Sequence, residues 1–242
     1  MKSYIINIEL IGTNPLVWRK VIMPAGATFN RLHNTIQDVT NFQSGQGRDY
    51  YHLFEFEFED IIITNDEQGI WDHKDYKENP EYYEERLRDV PKELLRFETI
   101  FQEKIKTKHG YPKRVKIDKY LEKFKEISYL YDFSDGWEFK IKLEDIVHDY
   151  DFGYPTLLDG AETAPPEDVG GIYGFENFLE IYNDKNHPEN KEVKKWADFQ
   201  GFREYDPKWI NYILKDIKYM KTDWDKINHI NYKIIENKYR KE

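Results

Sequence analysis

The sequence predicts an α+β protein: a mixed or antiparallel sheet opening strand–strand–helix–strand, with helices packed on it and a helical insertion. Three observations predict this. Apolar and polar residues alternate over residues 4–10 and again over 50–60, which marks strands. Between them a stripe of 3.6-residue period marks a helix, and from about residue 64 the text changes to charged, helix-like segments. At 242 residues the chain suits one domain, spanning 1–221 with 64–126 as an insertion, followed by a helical or loose tail over 222–242. A chain this long buries roughly 70–75 % of its unfolded surface and needs no disulfide or metal to hold a core.

Tyr4, Ile6, Ile8 and Leu10 share one side of the first strand. Asn14-Pro15 signals a turn, and LVWRKVIM (16–23) reads as its hairpin partner. Thr28 can cap a helix whose buried stripe is Phe29, Leu32, Ile36 and Val39; His33, one turn after Phe29, falls near the core. A Gly-rich link at 44–47 leads to YYHLFEFEFED, the third strand. In the insertion, residues 66–89 are acidic, PEYYEERL and PKELLRFETIFQEKI each place a proline at a first helical position, and 104–119 is basic. The acidic and basic blocks either pair with each other or leave the basic one as a phosphate-binding patch. The sheet resumes at ISYLYDF and WEFKIKLE, and 153–174 reads as a loop. GFENFLEIY follows as a helix, and Asp206-Pro207 starts another with Trp209, Ile210, Ile213, Leu214 and Ile217 along its stripe.

Composition removes several function classes. With no cysteine there are no disulfides, zinc–thiolate sites or thiol nucleophiles, which fits a cytoplasmic protein. A net charge of −10 argues against broad nucleic-acid binding, leaving only a local basic patch at 104–119. No run approaches a membrane span, and the N-terminus lacks the pattern of a signal peptide. No phosphate-binding glycine loop, nucleophile elbow or paired-histidine spacing is present.

Two stretches carry candidate chemistry. In YDFSDGWEFKIKLE (131–144), a two-residue Asp135-Gly136 loop would set Asp132 opposite Phe139, among apolar side chains. A three-residue loop from Ser134 sets Phe133 against Trp137 and Tyr131 against Phe139 and keeps the apolar set on one side, so it is preferred. That register places Asp132 across from Glu138 with Asp135 nearby, and like charges in that position call for compensation. Lys140 or solvent could supply it, and so could a cation.

This hairpin, together with NPLVWRKVIMP, FNRLHNTIQ, YYHLFEFEF and APPEDVGGIYGFENFLE, resembles the plasmid pRiA4b ORF-3-like family, related to insertion-element passenger proteins of the TnpR type. The likeness spans roughly 4–60 and 127–215. Ser134 stands where the family usually has glycine, and Phe139 where histidine is common. The resemblance implies a compact α+β protein associated with plasmids and transposable elements, without an established molecular activity. Nothing like a serine recombinase site is present to support the resolvase that the TnpR label suggests.

In APPEDVGGIYG (164–174), the prolines stiffen the approach, Glu167 and Asp168 follow, and Gly170-Gly171 permits close backbone approach. The two carboxylates either fix an irregular loop or act as ligands with Asp132, Asp135 and Glu138. A hard divalent cation such as Mg²⁺ is the natural guest of that oxygen-only set. His52, beside the third strand, could reach such a site, and Trp137 flanks it. Arg19 offers either an anion site or an ordinary salt bridge. Three functions are therefore carried forward. The first is a mobile-element accessory module that binds a protein or small ligand. The second is a metal-dependent phosphoesterase or nuclease, and the third a nucleic-acid binder through 104–119.

Overall fold

The alternation that marks the first strands places them in a single eight-stranded sheet. The computed structural model describes residues 1–45 and 52–222. Its strands are β1 (Ser3–Leu10), β2 (Val17–Pro24), β3 (Phe54–Glu57), β4 (Ile61–Thr64), β5 (Lys108–Gly110), β6 (Glu126–Tyr131), β7 (Trp137–Val147) and β8 (Thr156–Ala161). They lie in the order β5-β4-β3-β6-β7-β1-β2-β8. All neighbours are antiparallel except β4 and β5, which are parallel. The chain is thus an α+β protein with a mixed sheet.

Helix α1 (Phe29–Val39) lies on one face of the sheet. Thr28 Oγ1 accepts from the Arg31 amide at its start, and Phe29, Leu32, Ile36 and Val39 are buried as the stripe requires. The insertion contributes α2 (Glu67–Glu78), α3 (Pro80–Asp89), α4 (Leu95–Lys106) and α5 (Asp118–Phe124). The same core continues with α6 (Gly171–Asn183), α7 (Asn190–Phe199), α8 (Pro207–Ile213) and a 3-10 turn at Leu214–Ile217. The other face carries a small apolar cluster around Ile5, Ile22, Tyr150 and Phe152, beside ion pairs such as Lys142–Glu9 and Lys20–Glu144.

Several elements differ from the sequence expectation. Residues 153–174 were expected to be loop, yet β8 pairs there with β2, with Thr156, Leu157 and Leu158 buried. The third strand is only four residues long, and a separate β4 follows it. Helix α4 starts at Leu95, not beside Pro91. The insertion is stitched to the sheet, because β5 pairs with β4. Among the described residues the acidic 66–89 block and the basic 104–119 block do not form ion pairs with each other; Arg86 bonds Glu98 and Lys104 bonds Glu55. The expectations for the 44–47 link and the 222–242 tail fall largely on residues outside those described.

Two buried features hold the frame around the future site. His33 is fully enclosed, stacked on Phe54, with Nδ1 bonded to the Tyr129 hydroxyl at 2.7 Å and Nε2 to the Ser44 carbonyl at 3.0 Å. Burial lowers its pKa to about 4, against a raising effect of the Ser44 hydrogen bond. At Gly174 an added Cβ would lie 1.9 Å from the Val169 carbonyl oxygen, so the loop entering α6 can fold back only over glycine.

Both features give testable outcomes. The folded pKa of His33 lies below its unfolded value, so the unfolded chain binds more protons between pH 6.5 and 4. Stability from this group is present above pH 6.5 and falls by about 3 kcal/mol as pH drops to 4. An NMR titration of His33 is expected to show a midpoint near 4; a midpoint near 6.5 would refute the enclosed imidazole. Gly174→Ala is expected to cost about 2 kcal/mol, lowering the thermal midpoint by roughly 4–8 °C. An unchanged midpoint would contradict the close approach.

Candidate metal centre

The loop between β6 and β7 is longer than the sequence suggests. Tyr131 pairs with Trp137 and Leu130 with Glu138, so residues 132–136 form a five-residue loop. The shift from the expected three-residue turn is two positions, which keeps Ile127, Tyr129, Tyr131, Trp137, Phe139 and Ile141 on the buried face. It also corrects the predicted pairing: Asp132 does not face Glu138. Asp132 has left the ladder, and the repulsion of two opposed carboxylates is avoided. It adopts a left-handed conformation (φ 51°), which Asp tolerates better than most residues. Its Oδ1 accepts from Ser134 N at 3.1 Å and Ser134 Oγ at 2.6 Å, and the residue is only 3 % exposed.

The second candidate loop runs over the end of α1 toward this turn. Asn41 bridges Pro166 and donates to the Ala164 carbonyl at 2.7 Å. Glu167 is completely buried. Its Oε2 accepts from the Gln43 amide at 2.6 Å and from the Tyr131 hydroxyl at 2.9 Å. Burial raises the Glu167 carboxyl above its ordinary range, although the Gln43 amide, Tyr131 and His52 all act to lower it. Burial likewise raises Tyr131, keeping its phenol protonated and able to donate. The strap ends at the N-terminus of α6, where Gly170 N donates to Asp135 Oδ2 at 3.0 Å. Gly171 (φ 70°) packs so closely that a Cβ would meet the Asp135 carbonyl at 2.7 Å. The hairpin loop and the PPEDVGG strap therefore meet in space.

His52 completes the arrangement. Its backbone amide donates to Ser44 Oγ at 3.0 Å, and its carbonyl accepts from Asn65 at 2.9 Å, so the ring is held over the two loops. Nδ1 lies 3.5 Å from Asp132 Oδ2, while Nε2 lies 3.7 Å from Glu167 Oε1 and 3.5 Å from Asp168 Oδ1. One ligand atom from each of His52, Asp132, Glu167 and Asp168 falls within 4.8 Å of all the others. Among the described residues no lysine or arginine forms an ion pair with these four. Three carboxylates thus surround one imidazole, a set suited to a divalent cation. The imidazole nitrogen shifts the expected ion away from the purely oxygen-liganded Mg²⁺ class.

The remaining candidates stand elsewhere. Asp135 is spent on the Gly170 amide, so it braces the loops. Glu138 lies on the open face of the sheet opposite Leu130, because the longer loop moves Asp132 away from it. Trp137 is a core residue packed on Phe42. Among the described residues Arg19 forms no salt bridge, and its guanidinium is turned to backbone carbonyls in place of the expected anion. It is buried, donates to the carbonyls of Val39, Trp18, Ala161 and Glu162, and lies over Tyr205. Burial lowers its pKa to about 10. Tyr131, Ser134, Ser44 and Gln43 support the cluster, although none of them is among the candidate site residues read from sequence. Only Tyr131 carried a signal, as the last inward-facing residue before Asp132. The basic 104–119 residues are spread over the end of α4, β5, the connection at 111–117 and the start of α5, with Lys106 over Tyr76 and Arg114 over Tyr111.

Comparison with known proteins agrees with this architecture. The chain is 28 % identical over 207 residues to the uncharacterized protein y4hQ of Sinorhizobium fredii, covering 86 % of this chain and 85 % of that one. It is also similar to the crystal structure of MM3350, a protein of unknown function from Methanosarcina mazei Go1. There the TM-score is 0.58 at 27 % identity, with 86 % of this chain and 96 % of the other covered. No helix among the described residues is long and apolar enough to cross a membrane. The model of the plasmid pRiA4b ORF-3-like proteins matches residues 2–213, and the chain belongs to that family.

Proposed function

We propose that this chain is a binding module of its plasmid-type family that takes up one divalent cation between the hairpin loop and the PPEDVGG strap, and presents it to an oxygen-bearing ligand. The observation that carries this reading is the convergence of His52, Asp132, Glu167 and Asp168 from three separate stretches of chain. Two of these carboxylates are buried, and uncompensated buried charge is costly. A doubly charged ion at their meeting point supplies the missing charge, and its binding energy offsets the cost of assembling them.

A second reading, metal-dependent phosphoester hydrolysis, uses the same residues. Asp168 is 44 % exposed and His52 21 %, so one side of the cluster faces solvent, where an ion could hold and activate water. Turnover separates the two readings.

In a thermal-shift panel with Mg²⁺, Ca²⁺, Mn²⁺ and Zn²⁺, at least one ion is expected to raise the midpoint. An ion at 100 times its dissociation constant adds about 2.7 kcal/mol, or roughly 5–10 °C for a chain this size. Glu167→Gln is expected to abolish the shift. If none of the ions moves the midpoint of the wild-type chain, the cation reading is wrong. With the stabilising ion present, a binding module leaves a chromogenic phosphodiester intact. Hydrolysis that disappears in Glu167→Gln would replace binding with catalysis.

A further inference from the structure

Resting on the cation site proposed above, the geometry points to a division of labour within it: His52 Nε2, Glu167 and Asp168 hold the ion, and Asp132 holds His52. The two nitrogens of an imidazole face opposite sides of the ring, so one ion takes only one of them. Asp132 lies on the Nδ1 side, while Glu167 and Asp168 both lie on the Nε2 side. The Nε2 side therefore offers three donors and the Nδ1 side only two.

The spacing on the Nε2 side suits an ion. Bond lengths near 2.1 Å place neighbouring donors roughly 3.0 Å apart in octahedral geometry and about 3.4 Å apart in tetrahedral geometry. The observed 3.5 and 3.7 Å separations from Nε2 are close to the tetrahedral spacing and need to contract by roughly half an ångström or slightly more for the octahedral one. Glu167 is prepared for this role. Its Oε2 is engaged by Gln43 and Tyr131, which turns Oε1 toward Nε2. Tyr131 also reaches Oε1, at 3.1 Å, and so fixes the plane of the carboxylate.

Asp132 has the surroundings of a positioning residue. Ser134 engages its Oδ1 twice, leaving Oδ2 to accept a proton held on Nδ1. Shortened to hydrogen-bonding distance when an ion engages Nε2, this 3.5 Å contact would select the tautomer whose Nε2 lone pair is available to a metal, the relation found behind most metal-bound histidines. One nitrogen and two carboxylates leave further coordination positions open on the side where Asp168 is exposed. Such a set suits Mn²⁺, Fe²⁺ or Zn²⁺ better than Ca²⁺, which takes six to eight oxygens.

The test is Mn²⁺ binding to the full chain, followed by electron paramagnetic resonance, with pulsed detection of nitrogen coupling from a bound imidazole. Asp132→Asn is the informative variant, because Asn accepts the left-handed backbone and retains an oxygen for Ser134. The wild-type chain is expected to bind one Mn²⁺ with imidazole coupling. Asp132→Asn is expected to bind one ion with the coupling retained, 10–100-fold more weakly. Glu167→Gln is expected to show no measurable binding. Should Asp132→Asn lose the ion as completely as Glu167→Gln, or lose the nitrogen coupling, Asp132 is itself a ligand. The division then falls while the site stands. Absence of Mn²⁺ binding and of any nitrogen-coupled ion in the wild-type chain would overturn the site and the division together. If Asp132→Asn does not fold, Ser134→Ala serves instead. It removes one hydrogen bond to Asp132 and is expected to weaken binding about five-fold with the coupling kept; an unchanged affinity would overturn the positioning role.

Discussion

A carboxylate with no exposure to water is the constraint on which the rest of this site depends. Glu167 can be buried only because donors from two other parts of the chain reach it: the Gln43 amide after α1 and the Tyr131 hydroxyl at the end of β6. Losing either would leave a buried charge short of a partner, which costs about 1–3 kcal/mol or more. The same contacts fasten the strap to the sheet and to the α1 connection. Tyr131 passes the link on to Ser44 through a 2.8 Å contact, and Ser44 holds the backbone of His52. A single buried side chain therefore sets the relative positions of all three segments that bring ligands.

The backbone is bent to serve the same end. Asp132 and Asp168 both adopt left-handed conformations, with φ of 51° and 56°. Such conformations cost of order 1 kcal/mol or more for residues other than glycine and persist where surrounding contacts fix them. Here the fixing contacts are Ser134 for the first loop, and the Asp135–Gly170 hydrogen bond joining it to the second. The rigid sheet beneath supplies the reference frame, with the rings of Trp137 and Tyr131 packed at a tilt on Phe42 below the turn.

Much of the frame was legible in the sequence because it follows period and parity. The β1–β2 hairpin and the shared apolar face of β6 and β7 follow from side-chain alternation, the buried stripe of α1 from the 3.6-residue period, and its start from the capping hydroxyl of Thr28. Parity does not fix turn length, since a two-residue slip leaves every side chain on the same face. The Asp132–Glu138 pairing was therefore misread and Glu138 overvalued. β8 was hidden because Gly153 and Pro155 flag a loop just before a short buried strand. The cluster was legible in its residue types but not its membership. His52, Asp132 and Glu167 meet through loops whose paths depend on hydrogen bonds to main-chain groups, which no spacing rule reveals.

The sheet has one further property, which concerns time instead of space. Its interior strand β1 pairs with β7, so that Leu10 lies beside Phe139, more than a hundred residues further along the chain. Closing such a loop is slow compared with forming a local hairpin, because its entropy must be lost before the pairing can reward it. Two of the ligand-bearing segments, at His52 and Asp132, lie inside the loop that this pairing closes, and the third, at Glu167, lies beyond it. On a nascent chain the cluster can assemble only after β7 has docked and the strap beyond residue 160 has emerged. An ion captured there would hold a finished fold together and could not template an early one.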